Sequence, residues 1–232
     1  MRATDSFSAI EALIRSVAMG EQCREVLAEV LPVVCTVSTA AGAGGREVAK
    51  GLAARLDVGF FDKRILQGVA KETHIEPEIL RRLDERVAGM RGAWLRSLLT
   101  GQDLSKETFR RNLINVVLGI GCKGGVILGR GGNFILAHRP VLRVRIIGSP
   151  SLCATRIAKR QGIAPAAAEL ERRQTDHDRR EFIRTLFRHD IADPLGYDLV
   201  LNSDRLALKA LTEIAVLALA RLREKSLEGK AE

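Results

Sequence analysis

Residues 33–50 constrain the fold of this chain more than any other stretch. They read VVCTVSTAAGAGGREVAK. The apolar, β-branched run from Val33 to Val37 predicts a buried strand, and apolar residues recur at helical spacing from Arg46 to Leu56. Between strand and helix lies a turn of small residues rich in glycine. This order is typical of a phosphate-binding loop, because glycine lets the backbone approach an anion and a helix N-terminus presents free N–H groups.

The match to the usual phosphate loop is incomplete. The usual pattern places a Lys and then a Ser or Thr after its last glycine, whereas this chain continues from Gly45 with Arg46 and Glu47. A glycine-rich turn that only packs tightly between a strand and a helix is therefore an open alternative at this point. The rest of the chain has to decide between the two.

Composition excludes several classes of protein. A chain of 232 residues with 46% hydrophobic and 28% charged residues is expected to be globular, with one large domain. No apolar run approaches the roughly 18 residues that span a bilayer, and we see no secretion signal, so we expect a cytoplasmic protein without a membrane partner. The cysteines form no CxxC pair, which favours buried free thiols, and the scattered histidines predict no metal-ligating residues.

The positive charge of the chain is concentrated. A formal net charge of +9 fits either nucleic-acid binding or a site for several phosphates, and an aromatic content of only 4% disfavours a base-stacking surface. Eight arginines lie between residues 156 and 188, at positions 156, 160, 172, 173, 179, 180, 184 and 188. Because the arginine fork matches phosphate oxygens, some of them are expected in a flap that closes over phosphates. For Arg180 and Arg184 we favour a solvated helix face.

Apolar runs and helical periods alternate along the chain. Strands are predicted at 58–61, 126–128, 142–147 and 199–201 in addition to the first one. Helices are predicted at 6–30, 63–73, 77–87, within 90–122 with Ser105 as a cap, from Pro150 to 161 with Ser149 as a cap, at 165–187 and at 206–222. This alternation implies a parallel sheet, whose ligands bind beyond the carboxyl ends of the strands. The glycine turn, Asp62 and Gly129–Arg130 all follow strands, so the fold should bring them to one crevice.

Several segments together resemble the cytidylate-kinase-like family of P-loop nucleoside monophosphate kinases. They are GAGGREVAKGLAARL, GFFDKRIL, VILGRGGNFIL, VRIIGSPSLCATRI and the spaced run Asp176, Arg179, Asp190, Asp193–Pro194, Tyr197–Asp198 and Asn202. The resemblance implies an α/β, three-layer fold: a five-stranded parallel sheet with helices on both faces, a helical acceptor-side insertion and a helical lid. It implies a kinase-like domain at 32–224 with an acceptor-side lobe at 62–122 and an arginine-rich lid at 160–192. Outside the resemblance we expect an N-terminal helical extension at 1–31 and a flexible tail at 225–232.

The resemblance also implies an activity: transfer of the ATP γ-phosphate to CMP, dCMP or a related acceptor, with Mg²⁺. The ATP phosphates would be bound by the loop residues Ser38, Gly42, Ala43, Gly44, Gly45 and Arg46. The acceptor would be bound by Asp62, Arg130, Arg188 and Asp190, and the lid arginines would be Arg160, Arg173 and Arg179. Arg46, Arg173 and Arg179 would be the catalytic residues.

The chain departs from the family pattern in ways that keep a second hypothesis open. It has no lysine in the loop, and no Ser or Thr after the loop to hold Mg²⁺. The alternative is a catalytically impaired nucleotide-binding or regulatory protein on the same fold. A nucleic-acid-binding protein is a third and weaker hypothesis, since it depends on net charge alone. The N-terminal helix either packs on its own domain, which we favour, or forms a homodimer.

Overall fold

The structure, a computed structural model, describes residues 32–62 and 103–228. The predicted helices at 6–30, 63–73 and 77–87 lie outside these residues. The elements, in chain order, are β1 (Val34–Thr39), α1 (Gly45–Leu56), β2 (Phe60–Phe61), α2 (Asp103–Lys123), β3 (Gly125–Leu128), α3 (Gly132–Ile135), β4 (Leu142–Ile147), α4 (Pro150–Gln161), α5 (Pro165–Phe187), β5 (Leu199–Asn202) and α6 (Leu208–Glu228). A short 3₁₀ turn, Pro194–Gly196, precedes β5.

The strands form one five-stranded parallel sheet in the order β2-β3-β1-β4-β5. The predicted α/β class and the five-stranded sheet are therefore confirmed. β1 is central, with β3 on one side and β4 on the other. Since parallel strands end at the same edge, the turns after β1, β3 and β4 all leave the sheet on one side.

The two faces of the sheet differ in polarity. On one face, alternate residues of three strands are apolar and pack with α1 and α6; the strand members are Cys35, Val37, Val126, Leu142, Val144 and Ile146. The other face carries Thr36 and Ser38 from β1, and Arg143 and Arg145 from β4, in direct register with them. α3 begins on this second face, since a Cβ on Gly132 would lie 3.1 Å from Ile127 and 3.3 Å from Thr36. Helices thus cover both faces of the sheet. The polar side chains of β1 and β4 lie on the second face, with Ser38 and Arg145 near the carboxyl ends of their strands.

Local signals predicted several element bounds well. β4 and α5 span the predicted residues, 142–147 and 165–187. The cap predicted at Ser105 is wrong, because α2 already begins at Asp103. Ser149 does occupy the N-cap of α4, but its side chain makes no capping hydrogen bond; its backbone N–H donates to Asp204 Oδ1 at 2.8 Å. α6 continues to Glu228, beyond the predicted end at 222, through a run of good helix formers.

The chain divides into two compact units. The first comprises Met1–Pro32 and Phe61–Gly124, of which α2 is the main described element. The second comprises Val33–Phe60 and Gly125–Glu232, so it holds the glycine turn and the whole arginine-rich region. No helix within the described ranges, 32–62 and 103–228, is long and apolar enough to cross a bilayer.

The cysteines divide into two groups. Cys35 and Cys153 are buried free thiols as expected, and burial raises the pKa of Cys35 to about 12. The expectation of a free thiol is wrong for Cys122, which is disulfide-bonded. A disulfide depends on the distance between two residues in space, which their spacing along the chain does not reveal.

Candidate functional site

The glycine turn after β1 is closely packed, and the packing requires its small residues. Gly42 and Gly44 have φ values of 80° and 82°, in the left-handed region that favours glycine. A Cβ on Gly42 would lie 2.3 Å from the carbonyl oxygen of Cys153, and a Cβ on Gly45 would lie 2.3 Å from Thr39 Cβ. Ala43 is fully buried. Tight packing therefore explains these residues by itself, and the evidence for an anion site has to come from the surrounding charges.

Helix α5 lies across this turn. Asp176 Oδ1 accepts a hydrogen bond from the Ala41 N–H at 2.8 Å, and Arg179 Nη1 donates to the Thr39 carbonyl at 2.7 Å. Ala41 also packs with Ile157 of α4 and Ala168 of α5. An arginine-bearing helix thus lies over the glycine turn, and one amide of the turn binds a carboxylate. The role of this helix as a lid over phosphates stays a prediction.

The first half of α5 is held by ion pairs within the helix. Arg172 forms two hydrogen bonds to the Glu169 carboxylate, at 2.8 and 2.9 Å, and a third to Asp176 Oδ2 at 3.3 Å. Arg173 Nε donates to Glu169 Oε1 at 2.6 Å, and its side chain is 71% exposed. These two arginines hold the pKa of Glu169 at about 2. Arg173, predicted as a lid and catalytic residue, pairs with Glu169 in this structure, whereas Arg179 reaches the turn.

Ser38 lies at the base of the turn and is bound by two residues from other elements. Arg145 Nη1 donates to Ser38 Oγ at 2.8 Å, and the Tyr197 hydroxyl lies 3.3 Å from the same oxygen. The Tyr197 hydroxyl also donates to the Ile191 carbonyl at 2.9 Å. The Arg145 guanidinium lies 5.5 Å from the centroid of the Tyr197 ring, within cation–π range.

Sequence reasoning missed Arg145 as a site residue. The signal was the alternation of apolar and charged residues in LRVRII, which is unusual for a strand buried on both faces. That alternation indicates a polar face, but it does not say which strand lies opposite. The register shows that Arg145 pairs with Ser38 of β1.

Three arginines give this end of the sheet a positive charge. Burial lowers the pKa of Arg179, and Arg145 and Arg160 lower it further, while Asp176 opposes the shift. Arg145 and Arg160 are therefore each close enough to Arg179 to interact with its charge. Within the described part of the chain, none of them forms an ion pair with a carboxylate. An excess of positive charge in a partly buried place is typical of an anion-binding site.

The Gly129–Arg130–Gly131 turn follows β3 and contacts the second half of α5. All three residues have positive φ values, 74°, 59° and 71°. The Arg130 guanidinium lies 5.9 Å from the centroid of the Phe182 ring, and a Cβ on Gly131 would lie 2.3 Å from the Phe187 ring. Arg130 and the glycine turn after β1 are therefore covered by the same helix.

The remaining predicted residues are more dispersed. The Arg46 guanidinium lies 5.6 Å from the centroid of the Phe60 ring, on the exposed start of α1. Arg188 is the left-handed C-cap of α5, and the exposed Asp190 accepts a hydrogen bond from the Ala192 N–H at 2.8 Å. Asp62 belongs to the other compact unit, and its predicted role stays a prediction. No group of three or more His, Cys, Asp or Glu residues in the described part is placed to hold a metal ion.

Comparisons with known proteins agree with this fold. The model of the "Cytidylate kinase-like family" matches residues 34–205. An uncharacterized protein from Eubacterium ventriosum is similar in structure, with a TM-score of 0.63 and 17% identity, covering 81% of this chain and 98% of its own. A gluconokinase from Sinorhizobium meliloti has a TM-score of 0.51 and 17% identity, covering 87% of this chain and 99% of its own.

At these identities the two structures support the fold alone. No curated protein matches the sequence significantly. The family model, in contrast, spans most of the chain, including the glycine turn, Arg130 and the whole of α5. The chain belongs to the cytidylate kinase-like family.

Proposed function

We propose that this protein is a nucleoside monophosphate kinase that transfers the γ-phosphate of ATP to CMP, dCMP or a related acceptor. One observation carries the proposal: Arg145 and Arg179, which form no carboxylate ion pair among the described residues, hydrogen-bond to Ser38 and Thr39 where β1 enters the glycine turn. Membership of the cytidylate kinase-like family supplies the reaction class. Phosphoryl transfer requires positioning and neutralisation of charge rather than a protein nucleophile, which fits a site built from cations.

The donor phosphates are assigned to the turn from Ser38 to Arg46. α1 starts at Gly45, so its first N–H groups and its positive dipole end lie at this turn. Arg179 extends from α5 to the Thr39 carbonyl, and Arg160 lies close enough to lower its pKa. These two arginines are proposed to neutralise charge on the transferred phosphoryl group, while α5 excludes water from it.

The acceptor is assigned to the neighbouring turn after β3. β3 pairs directly with β1, so Arg130 follows the strand next to the donor turn. Its contact with Phe182 brings it under the same helix that covers the donor turn. Arg130 is proposed to bind the acceptor phosphate, and Arg188 and Asp190, just after α5, are proposed to contact the acceptor base.

The residues of the site are compatible with Mg²⁺ only if the substrate phosphates supply most of its ligands. Mg²⁺ is commonly bound by one or two carboxylates together with phosphate oxygens and water. Within the described residues there is no acidic cluster for it, and no Ser or Thr follows the last loop glycine. When bound with ATP, the ion would neutralise phosphate charge; this chain would contribute the loop amides and the arginines.

A specific observation favours the second candidate, a nucleotide-binding protein with impaired catalysis. The Asp176 carboxylate accepts a hydrogen bond from the Ala41 N–H, which takes up one donor of the turn with a resident anion. The loop also lacks the usual lysine. Such a protein would bind nucleotide without forming product.

A coupled assay separates the two candidates. The full chain is incubated with ATP, Mg²⁺ and, in turn, CMP, dCMP, UMP, AMP and GMP, and ADP formation is followed. Turnover with one acceptor supports the kinase and ends the second candidate. Absence of turnover with every acceptor overturns the kinase.

A thermal-shift screen with the same nucleotides locates the donor site. Arg46→Ala is expected to lose the stabilisation by ATP, because Arg46 is the cation on the first turn of α1. Arg55→Ala is the matched control on the same helix, since Arg55 lies 3.5 Å from Glu213 and its side chain is 53% exposed. An equal effect of ATP on both variants would remove Arg46 from the donor site.

A further inference from the structure

We propose that Arg145 of β4 supplies the phosphate-binding cation that phosphate loops ordinarily take from the lysine after their last glycine. This inference depends on the proposed function, because it assigns a residue to the donor site. Its starting point is a gap in the loop: the position after Gly45 holds an arginine that lies over Phe60, and no lysine follows the glycines directly. A cation near the phosphates is nevertheless needed for phosphoryl transfer.

The position of Arg145 follows from the strand register. Ser38 and Arg145 are paired residues of adjacent parallel strands, and both lie on the polar face of the sheet. β1 leads directly from Ser38 and Thr39 into the glycine turn. The long side chain of Arg145 therefore reaches the base of the glycine turn from the neighbouring strand, although Arg145 is not part of the turn.

The orientation of Arg145 is determined by two contacts. Its Nη1 donates to Ser38 Oγ at 2.8 Å, and its guanidinium lies over the Tyr197 ring at 5.5 Å. A guanidinium has five N–H donors. Ser38 Oγ is the one acceptor bound by Arg145 within the described residues, so the fork retains donors for a phosphate oxygen.

Arg145 has no carboxylate partner among the described residues, whereas Arg143 on the same strand has one. Arg143, two residues earlier on the same strand and face, binds Asp198 with Nη2 at 2.6 Å and Nε at 3.2 Å. Arg145 has no carboxylate partner among the described residues, and it lowers the pKa of Arg179. Two interacting cations in a partly buried place are unfavourable without an anion, so a bound phosphate would relieve their repulsion.

The test measures binding of inorganic tripolyphosphate and of ATP to the full chain by calorimetry at low salt. Arg145→Gln is expected to weaken both by about tenfold or more, the effect of losing a charge-assisted hydrogen bond. Arg143→Gln is the matched control and should change affinity less than about twofold. Arg145→Lys retains a positive charge and should recover most of the lost affinity. If Arg145→Gln does not fold, Arg145→Lys still tests the inference, because its affinity should be close to that of the wild type.

Ser38→Ala distinguishes direct binding from an indirect effect. If Arg145 binds phosphate itself, removal of the serine hydroxyl should reduce affinity much less than Arg145→Gln does. Equal losses in the two variants would overturn the inference, because Arg145 would then act only by positioning Ser38.

The remaining outcomes separate this inference from the proposed function. Wild-type affinity in Arg145→Gln overturns the inference and leaves the kinase proposal standing. Tripolyphosphate binding that depends on Arg145, together with no phosphoryl transfer to any acceptor, supports the inference and overturns the kinase. A wild-type chain that binds neither tripolyphosphate nor ATP overturns both.

Discussion

Two arginines on one strand, Arg143 and Arg145, have opposite electrostatic surroundings. Arg143 is bound by both oxygens of Asp198, and the hydrogen bond with that carboxylate raises its pKa. Arg145 binds a neutral hydroxyl and lies close enough to Arg179 to lower its pKa. The two residues are indistinguishable by type, strand and face. The presence or absence of a nearby carboxylate therefore decides the role of each arginine. Arg143, which has one, links β4 to the segment before β5, whereas Arg145, which has none among the described residues, can bind a ligand.

Helix α5 repeats this contrast along its length. Arg172 and Arg173 share Glu169 and stay within their own helix. Arg179, further along, reaches the Thr39 carbonyl and forms no ion pair within the described residues. The density of arginines in the sequence therefore overstated the positive charge available at the site. Arg145 and Arg179 are the two that reach the base of the glycine turn without a carboxylate ion pair among the described residues.

The largest expected effect comes from Arg179→Gln. We expect ATP affinity to fall by about thirtyfold, because a charge-assisted contact to phosphate is lost, while the free energy of unfolding changes by less than about 1 kcal/mol. Burial already disfavours the charged form of Arg179, so its removal should cost little stability. Calorimetry and urea unfolding measure the two quantities. Arg184→Gln, an exposed position on the same helix, is the control. Equal losses of affinity in both variants would show that Arg179 has no special role in binding phosphate.

A smaller effect is expected from Asp176→Asn. Asp176 counters the positive charge on Arg179 within the described part of the chain, and asparagine can still accept the Ala41 N–H through its side-chain oxygen. We expect tripolyphosphate to bind about three- to tenfold more tightly, because the resident negative charge is removed. Asp178→Asn is the control, since Asp178 binds Gln174 on the same helix. Weaker binding in Asp176→Asn would contradict the idea that Asp176 competes with phosphate.

The smallest expected effect concerns the ion pairs of Glu169 with Arg172 and Arg173 in the first half of α5. The pKa of Glu169 is lowered from its ordinary 4.5 to about 2 by Arg172 and then Arg173. A lowered pKa means that these pairs stabilise the folded state fully above pH 4.5 and that this stabilisation is lost as the pH falls from 4.5 towards 2. A carbon-13 NMR titration of the Glu169 carboxyl should give a midpoint near 2, which moves upward in Arg172→Gln. A wild-type midpoint near 4.5 would show that the pairs do not form in solution.

Local patterns in the sequence were sufficient for most of the described elements and for the family. The bounds of β4 and α5 followed from apolar spacing and, for α5, from Pro165 in the first turn, because these signals act over a few residues. The glycine turn, the Gly–Arg turn after β3 and the arginine-rich helix were likewise predicted from short segments, all within the residues 34–205 that the family model matches. Their meeting at one edge follows from the geometry of parallel strands.

The selection among the arginines required the tertiary structure. Arg145 became a site residue because the register of β4 on β1 places it opposite Ser38, and Arg143 was neutralised because Asp198 lies beside it. The sequence favoured Arg173 together with Arg179, but the packing of α5 turned only Arg179 towards Thr39. Local patterns specify which residues share an element. Which charges meet depends on contacts between residues far apart in the chain, such as Thr39 and Arg179, which are 140 positions apart, and these contacts exist only in the folded chain.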